Sequence, residues 1–480
     1  MPTAGALTPI PPLPALSAVV SATLAYSLAT RPAAATPAAI ETQQPSQRGA
    51  CVAPDPREPC SGHGMAEDGV CRCDDCFKGA RCEKAIAEDE CVVAASNGTP
   101  FVFEDYWLAT AGTSAGGDGD GADSVSNRPN CSKRGYVGVQ PFYHIGYGST
   151  IRAGGCGGFG GGDCPNRLES EVRALHAAVG NFNPDGFHYV GGVGSTELIA
   201  AAMFALGGGE DGAAYSSAPY YNGHRNTAKF FGRRWADTPQ EAAAAPAGAV
   251  EFVTSPSSAD GALRTREVPG ATAVWDSAYY WPHFTPVVQD RAQAVEPSDV
   301  ALFTLSKLTG HASSRVGWAW CRNARLCNAL AAYVGVNGGV SREAQLRAAT
   351  VLSSERVRGY PILAWARERM AARWEALEGT LGGSCLQLQN RGDAHQDVWS
   401  GETYRPSPAY AWIECQAGAA QAGGAAGDCA AALLAAAGIK GSGGETFGAG
   451  MEYVRVELLL SQRSFEIVMR KLQGFVQQYC

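Results

Sequence analysis

The chain has 480 residues, enough for two or three domains, and its 45% hydrophobic and 18% charged content excludes a chain that is disordered throughout. Its formal net charge of −8 argues against a protein that binds the phosphate backbone of nucleic acids, because such proteins present basic surfaces. We therefore expect a folded, multidomain protein that does not bind nucleic acid.

Residues 1–50 differ in composition from the rest and are predicted to be a leader and a linker. Residues 13–29 are uncharged and moderately apolar, and residues 33–35 supply the small side chains of a cleavage site, as in a secretory signal. A single N-terminal membrane anchor is the alternative, although the stretch is short for a spanning helix. We expect a protein of the secretory pathway, whether extracellular, vacuolar or lumenal.

A cysteine-rich module is predicted at residues 51–91, which hold seven of the sixteen cysteines. So small a unit cannot be stabilised by its own core and needs cross-links. Disulfides are the favoured interpretation in a secreted chain, whereas Cys73 and Cys76 also have the spacing of zinc ligands. We predict disulfides and no bound metal. In that compartment the sequon at residues 97–99 would be a glycosylation site.

From residue 168 onward, helical and strand patterns alternate, which predicts an α/β protein with a mostly parallel sheet. Apolar residues at 168, 172, 175 and 179 predict an amphipathic helix that ends at Gly180. Strands are predicted at residues 189–190, 250–254, 271–275, 301–305 and 453–460. Helices are predicted at residues 197–206, within residues 341–380 and at the end of the chain, and a loop at residues 416–427.

Lys307 lies in the segment that carries the most chemical information. It follows a short apolar strand, stands beside Ser306 in a small, hydroxyl-rich turn, and precedes Arg315 by eight residues. A lysine that forms an imine needs desolvation and cationic neighbours, and a phosphate needs hydroxyls, backbone N–H groups and an arginine. The pattern predicts a pyridoxal 5′-phosphate (PLP) site, with Lys307 as the Schiff-base lysine and Arg315 on the phosphate. A solvated surface lysine is the alternative.

Two further segments favour the same interpretation. The turn at residues 192–196 joins a strand to a helix, and its N–H groups and two hydroxyls would form an anion site, although Ser195 could simply cap the helix. Asp276 ends a predicted strand, and Tyr279 follows it. A carboxylate on the pyridine nitrogen keeps the PLP ring electron-accepting. A phenol near the ring oxygen can tune the imine. The alternative is an aspartate that caps a turn beside packing tyrosines.

Tyr221 and Arg455 are candidates on other elements. Tyr221 could lay its ring on the face of the cofactor or could pack in the core. Arg455 lies on the less apolar face of its strand, where it could bind a substrate carboxylate or pair with Glu457.

The chain resembles the plant alliinases in two regions. Residues 60–82 resemble their EGF-like amino-terminal module, through Cys60-Ser61-Gly62-His63-Gly64 and Cys71-x-Cys73-x-x-Cys76-Phe77-x-Gly79-x-x-Cys82. The rest resembles the alliinase carboxy-terminal domain, which the tryptophan-aminotransferase-related enzymes share, most specifically through Tyr279-Tyr280-Trp281-Pro282-His283 and Ser306-Lys307-x-Thr309-Gly310-His311-Ala312. The resemblance implies a fold-type I PLP-dependent transferase at residues 92–480, usually a homodimer, with a large domain at about residues 165–335 and a small α/β domain from the flanking segments.

The resemblance also implies a role for each candidate residue. Lys307 would be the Schiff-base lysine, Asp276 the partner of the pyridine nitrogen, Tyr279 that of the ring oxygen, and Arg455 that of the substrate carboxylate. The remaining cofactor-binding positions would be Gly194, Ser195, Thr196, Tyr221, Ser306 and Arg315. The implied disulfides are Cys60–Cys71, Cys73–Cys82, Cys76–Cys91 and Cys415–Cys429. It leaves open the partners of Cys51, Cys131, Cys156, Cys164, Cys321, Cys327, Cys385 and Cys480.

Two departures from the family pattern bear on activity. Ser258 stands where the family usually has an asparagine that bonds the ring oxygen, and Glu457 where it has a serine. Three functions remain: a carbon–sulfur lyase that acts on an L-amino acid, which the module favours; an aminotransferase of the tryptophan-aminotransferase type; and a binding protein that keeps the fold without catalysis.

Overall fold

The computed structural model of the chain describes residues 60–67, 70–87, 90–96, 100–103, 106–107, 167–336 and 338–480. The leader with its anchor alternative, the sequon, and Cys51, Cys131, Cys156 and Cys164 lie outside the described residues, so those predictions stay predictions. Within the described part of the chain, no helix combines the length and the apolar character that a membrane crossing needs.

The N-terminal part consists of short strands joined by disulfides. The strands are β1 (Gly64–Glu67), β2 (Val70–Cys73), β3 (Phe77–Lys78), β4 (Lys84–Ala85) and β5 (Val93–Ala94). Disulfides join Cys60 to Cys71, Cys73 to Cys82 and Cys76 to Cys91, which are the pairs that the resemblance implies. Cross-links of this density are typical of an oxidising, secretory compartment.

A seven-stranded sheet forms the centre of the structure. Its strands are β6 (His188–Gly192), β7 (Ala213–Tyr215), β8 (Arg234–Trp235), β9 (Ala249–Thr254), β10 (Thr272–Asp276), β11 (Val300–Thr304) and β12 (Gly317–Cys321). The order is β6-β12-β11-β10-β9-β7-β8, and β12 is antiparallel to both neighbours while the other pairs are parallel. The prediction of a mostly parallel sheet is confirmed.

Helices pack on both faces of this sheet and on the carboxy-terminal part. They are α1 (Arg167–Val179), α2 (Gly194–Leu206), α3 (Asn222–Phe230), α4 (Pro239–Ala243), α5 (Leu305–Thr309), α6 (Ala324–Val336), α7 (Arg342–Arg356), α8 (Pro361–Leu381), α9 (Cys429–Ala437) and α10 (Gln462–Tyr479). Side chains alternate along β12, so that Trp318 and Trp320 pack with α1 and α7, whereas Ala319 and Cys321 pack with α2 and α6. All residues of β11 and β12 are buried, as expected for strands covered on both faces.

A second, antiparallel sheet lies in the carboxy-terminal part. Its strands, β13 (Leu386–Leu388), β16 (Tyr410–Cys415), β18 (Ser442–Gly443) and β19 (Tyr453–Glu457), follow the order β13-β16-β19-β18. The remaining short strands are β14 (His395–Gln396), β15 (Thr403–Tyr404) and β17 (Ile439–Lys440). β17 pairs in parallel with β5, which ties the N-terminal part to the carboxy-terminal part.

Three elements differ from the sequence prediction. The helix predicted from residue 197 begins at Gly194 and is preceded by Val193 at its N-cap, so the alternative that Ser195 caps it is wrong. The region predicted as a loop contains a 3₁₀ helix, Ala419–Gly424, and the last predicted strand ends at Glu457. The prediction extended the strand to residue 460 because apolar residues continue beyond Glu457. Residues 458–460 are all buried, but they pack in the core after the strand has ended.

Three disulfides lie outside the N-terminal part. Cys415 is bonded to Cys429, as the resemblance implies. Cys321 is bonded to Cys327, and Cys385 to the terminal Cys480, pairs that the sequence did not reveal. The last of these closes a separation of 95 residues.

We predict that the Cys385–Cys480 disulfide contributes strongly to stability, because it restricts a long loop of the unfolded chain. A loop of that length corresponds to about 4.7 kcal/mol of chain entropy. The double variant Cys385→Ala/Cys480→Ala should unfold at a clearly lower denaturant concentration than the parent chain. Since Cys480 is exposed, little packing is lost with it. The difference should largely vanish when both proteins are unfolded in a strong reductant, and its persistence there would contradict the prediction.

Candidate active site

The candidate residues meet at the carboxyl ends of the central parallel strands. Asp276 is the last residue of β10, and Asp276 lies opposite Leu302 of β11 in the parallel pair. Lys307 lies in α5, which begins directly after β11. Because β10 and β11 run in the same direction, both side chains are delivered to the same edge of the sheet, where open α/β sheets bind their ligands.

Lys307 is held by the short helix that follows its strand. The Thr304 side chain accepts a hydrogen bond from the Ser306 backbone N–H and so caps α5. The helix ends at Thr309 and is followed by Gly310, whose φ of +83° favours glycine. Lys307 is half-buried, and its Nζ lies 5.7 Å from the centroid of the Tyr279 ring. The two residues that the sequence motif predicts together therefore face each other.

Asp276 is a buried carboxylate with two protein partners. It is 5% exposed, and its Oδ1 accepts a hydrogen bond from the Ala278 backbone N–H at 3.2 Å. Its Oδ2 lies 3.2 Å from Nε2 of His224, a fully buried residue of α3 that stacks on Phe252 at 4.4 Å. A buried polar group is costly unless it is hydrogen-bonded, and these two contacts offset that cost. Sequence reasoning missed His224, since a lone histidine in a short helix gives no signal of a partner 52 residues away.

A glycine turn and an arginine form a candidate anion site. Gly194, at φ +76°, starts α2, where N–H groups of the first helical turn have no partner within the helix and can bind an anion, while the Val193 N–H before them donates to Glu197 Oε2 at 2.6 Å. The Arg315 Nη2 donates to Val193 O at 3.4 Å. A Cβ added to Gly194 would lie 2.6 Å from the same Nη2. A Cβ on Gly317 would lie 2.8 Å from the Ser195 backbone N. Glycine at 194 thus leaves room for the Arg315 guanidinium, and glycine at 317 leaves room for the backbone of the turn.

Tyr221 links the glycine turn to Asp276. It precedes α3 and is half-buried. Burial raises the pKa of the Tyr221 phenol, the charge of Asp276 raises it further, and a hydrogen bond with Thr196 opposes the rise. The phenol thus lies within the field of Asp276 and within reach of Thr196, one of the two hydroxyls predicted for the anion site.

The small sheet supplies Arg455 from β19. The Arg455 guanidinium carbon lies 3.9 Å from the centroid of the Tyr410 ring and 4.5 Å from that of Phe447. Its Nη1 donates to Ser258 O at 3.1 Å. Glu457, the other partner predicted for Arg455, is fully buried at the end of β19.

Tyr279 and Tyr410 share a hydrogen bond inside the site. Their hydroxyl oxygens are 3.1 Å apart, and both residues are buried. Burial raises the pKa of Tyr279 well above its ordinary value, and Tyr410 raises it further, whereas Arg455 lowers it. Sequence reasoning missed Tyr410, which lies in a strand whose apolar neighbours predict only packing.

The residues present fit a ligand with the chemistry of PLP. Among the described residues, the buried hydroxyls of Ser258 and Ser306 and the Nδ1 of His224 have no hydrogen-bond partner. Unpaired buried polar atoms are costly, so their grouping beside Lys307 and Asp276 indicates a polar ligand. Together with the arginine at the glycine turn, this set has a donor for a phosphate, a carboxylate for a ring nitrogen and an amine for an aldehyde.

Comparisons with known proteins agree on the family. Residues 164–476 match the alliinase carboxy-terminal family model, described as "Allinase". The tryptophan aminotransferase-related protein 3 of Arabidopsis thaliana is 30% identical over 453 residues, which is 87% of each chain. The alliin lyase of Allium cepa var. aggregatum is 28% identical over 447 residues, 87% of this chain and 90% of that one.

A solved structure supports the fold. Bna3p, a putative kynurenine aminotransferase from Saccharomyces cerevisiae, superposes with a TM-score of 0.56 at 12% identity and covers 81% of this chain and 92% of its own. The fold is therefore that of the fold-type I PLP-dependent aminotransferases. The family match covers both the central sheet and the small sheet, and the chain belongs to the alliinase family.

Proposed function

We propose that the protein is a PLP-dependent enzyme that acts on an L-amino acid. The observation that carries this proposal is the delivery of Lys307 and Asp276, from β11 and β10, to one edge of the sheet. Arg455 reaches the same region from β19, through contacts with Tyr410 and Ser258. An amine, a buried carboxylate and an arginine at these places are what an amino-acid substrate bound to PLP requires.

The cofactor, when bound, supplies a ring that accepts electrons from the substrate Cα. In our proposal Asp276 holds the proton on the pyridine nitrogen, and His224 keeps Asp276 in place. Arg315 and the N–H groups of α2 bind the phosphate with Ser195, Thr196 and Ser306. Arg455 binds the substrate carboxylate, and Lys307 takes the proton from Cα.

Between two reactions that share these steps, we propose loss of a sulfur substituent from the substrate β-carbon. The resemblance of the disulfide-linked residues 60–91 to the alliinase module supports it, as do relatives named alliin lyase. Transfer of the amino group is the second candidate, supported by the Arabidopsis relative at 30% identity. A non-catalytic protein is disfavoured, because Lys307 and Asp276 are both in place.

We further propose a homodimer in the secretory pathway. The six disulfides between described cysteines support an oxidising compartment. The homodimer follows from the resemblance, since fold-type I enzymes usually place their active sites near a subunit interface. An N-terminal anchor remains the alternative to a cleaved leader.

The first prediction concerns cofactor attachment. Purified protein supplied with PLP should be yellow, and borohydride should fix the label on Lys307, which peptide mass analysis would locate. Lys307→Ala should abolish the fixed label. The matched control is Lys229→Ala, which removes a lysine from α3 far along the chain from the motif and should leave labelling intact. A colourless protein, or a label on another lysine, would refute the proposed function.

A second prediction tests the role of Asp276. Asp276→Asn keeps the size of the side chain and can still bond His224, but it removes the charge that holds the pyridine proton. The variant should still bind PLP and be yellow. Its turnover should fall by about 100-fold or more, roughly 3 kcal/mol. Asp237→Asn changes the same charge at an exposed site and should turn over normally. Normal turnover of Asp276→Asn would show that the assigned role is wrong.

The choice between the two reactions predicts different requirements for a second substrate. A lyase given an S-alkyl-cysteine sulfoxide should release pyruvate and ammonia without any added keto acid. An aminotransferase given tryptophan should form product only when a keto acid such as pyruvate is present, and alanine should accumulate in equal amount. Pyruvate measured enzymatically in the first assay, and alanine in the second, separate the two. Alanine formation without pyruvate release would overturn the lyase proposal.

A further inference from the structure

Tyr410 is a buried residue of the site to which the roles above give no function. It is the first residue of β16 and is 3% exposed. Its hydroxyl oxygen lies 3.1 Å from that of Tyr279. Only one of two phenols that share a hydrogen bond can donate it, so the direction of this bond decides what the other hydroxyl does.

Arg455 favours one direction of that bond. The guanidinium lies on the face of the Tyr410 ring at 3.9 Å, and a positive charge there favours Tyr410 as the donor. Tyr279 then accepts from Tyr410 and keeps its own proton for another acceptor. The other charged groups that face Tyr279 are Asp276 and Lys307, whose Nζ is 5.7 Å from the ring centroid.

Ser258 does not bond the Tyr279 hydroxyl as Tyr410 does. Its buried hydroxyl has no hydrogen-bond partner among the described residues, and its backbone oxygen is taken by Arg455. The described side chain that bonds the Tyr279 hydroxyl is therefore Tyr410, which the small sheet delivers together with Arg455, since Trp412 of the same strand lies opposite Arg455.

We propose that Tyr410 is a positioning residue, which donates to Tyr279 and thereby strengthens the hydrogen bond that Tyr279 donates to the ring oxygen of PLP. This inference rests on the proposed function, because it needs PLP in the site. It links the residue for the substrate carboxylate to the ring oxygen of the cofactor through one chain of contacts, from Arg455 to Tyr410 to Tyr279.

The colour of bound PLP reports this effect without any turnover. A hydrogen bond donated to the ring oxygen stabilises its negative charge, so the bound cofactor loses its shared proton at lower pH. Hydrogen bonds in a chain strengthen one another, and removal of the first weakens the second. Tyr410→Phe should therefore raise the midpoint of the pH-dependent colour change by about half a pH unit.

The experiment is a pH titration of the absorbance of the PLP-loaded protein. Tyr410→Phe keeps the ring that carries Arg455, so it should fold and load PLP. Tyr279→Phe should shift the midpoint upward by more. Because Tyr410 acts through Tyr279, the double variant should have the midpoint of Tyr279→Phe alone. Tyr280→Phe removes a buried hydroxyl that bonds Gln289 O, and it should leave the midpoint unchanged.

The outcomes separate this inference from the proposed function. Wild-type protein that takes up no PLP refutes the proposed function. Wild-type protein that is yellow and titrates, with Tyr410→Phe at the same midpoint, overturns the inference alone, and so does a double variant whose two shifts simply add. If Tyr410→Phe fails to fold, Arg455→Gln provides the test. It removes the charge that favours Tyr410 as donor, and an unchanged midpoint there overturns the inference.

Discussion

The parallel pairing of β10 with β11 is the constraint on which the site depends. It brings Asp276 and the start of α5 to one edge, and so fixes the distance between a carboxylate and an amine that are 31 positions apart in sequence. Burial of Asp276 is costly for an ionised group, and the contacts with His224 and with the Ala278 N–H offset that cost. His224 is itself held by stacking on Phe252 of β9, so α3 and β9 both support the carboxylate at the end of β10.

The other half of the site comes from a different sheet. β16 and β19 pair antiparallel, with Trp412 opposite Arg455, so Tyr410 and Arg455 approach the central sheet as one unit. Their contacts with Tyr279 and Ser258 join the small sheet to the loops that follow β10 and β9. An arginine between aromatic rings is held in a defined direction, which suits recognition of a carboxylate by its planar fork.

Sequence reasoning placed residues correctly in the fold where a clear local pattern stands beside them. Lys307, Arg315 and Asp276 stand beside strands with clear apolar runs, and the glycine turn precedes a clear helix, so their places in the fold could be predicted. His224 and Tyr410 could not, because their partners are 52 and 131 positions away and only the tertiary structure brings them together. The Cys385–Cys480 disulfide could not be predicted either, since spacing in sequence does not fix which cysteines pair. The start of α2 was misplaced because glycine is a poor helix former, yet Gly194 begins this helix at a φ of +76°, and a Cβ there would lie 2.6 Å from Arg315 Nη2.

The disulfide-linked N-terminal part is joined to the strand that carries Arg455. The Cys76–Cys91 disulfide anchors the segment that leads into β5, and β5 pairs with β17. Ala95 directly follows β5. Its backbone oxygen accepts a hydrogen bond from the Glu457 N–H at the end of β19. Arg463 of α10 lies over the Phe77 ring at 4.1 Å, which adds a second contact with the same part. Backbone hydrogen bonds of this kind are short and directional, so the cross-linked segment restrains the end of β19. The described residues of 60–91 therefore belong to the framework that holds Arg455.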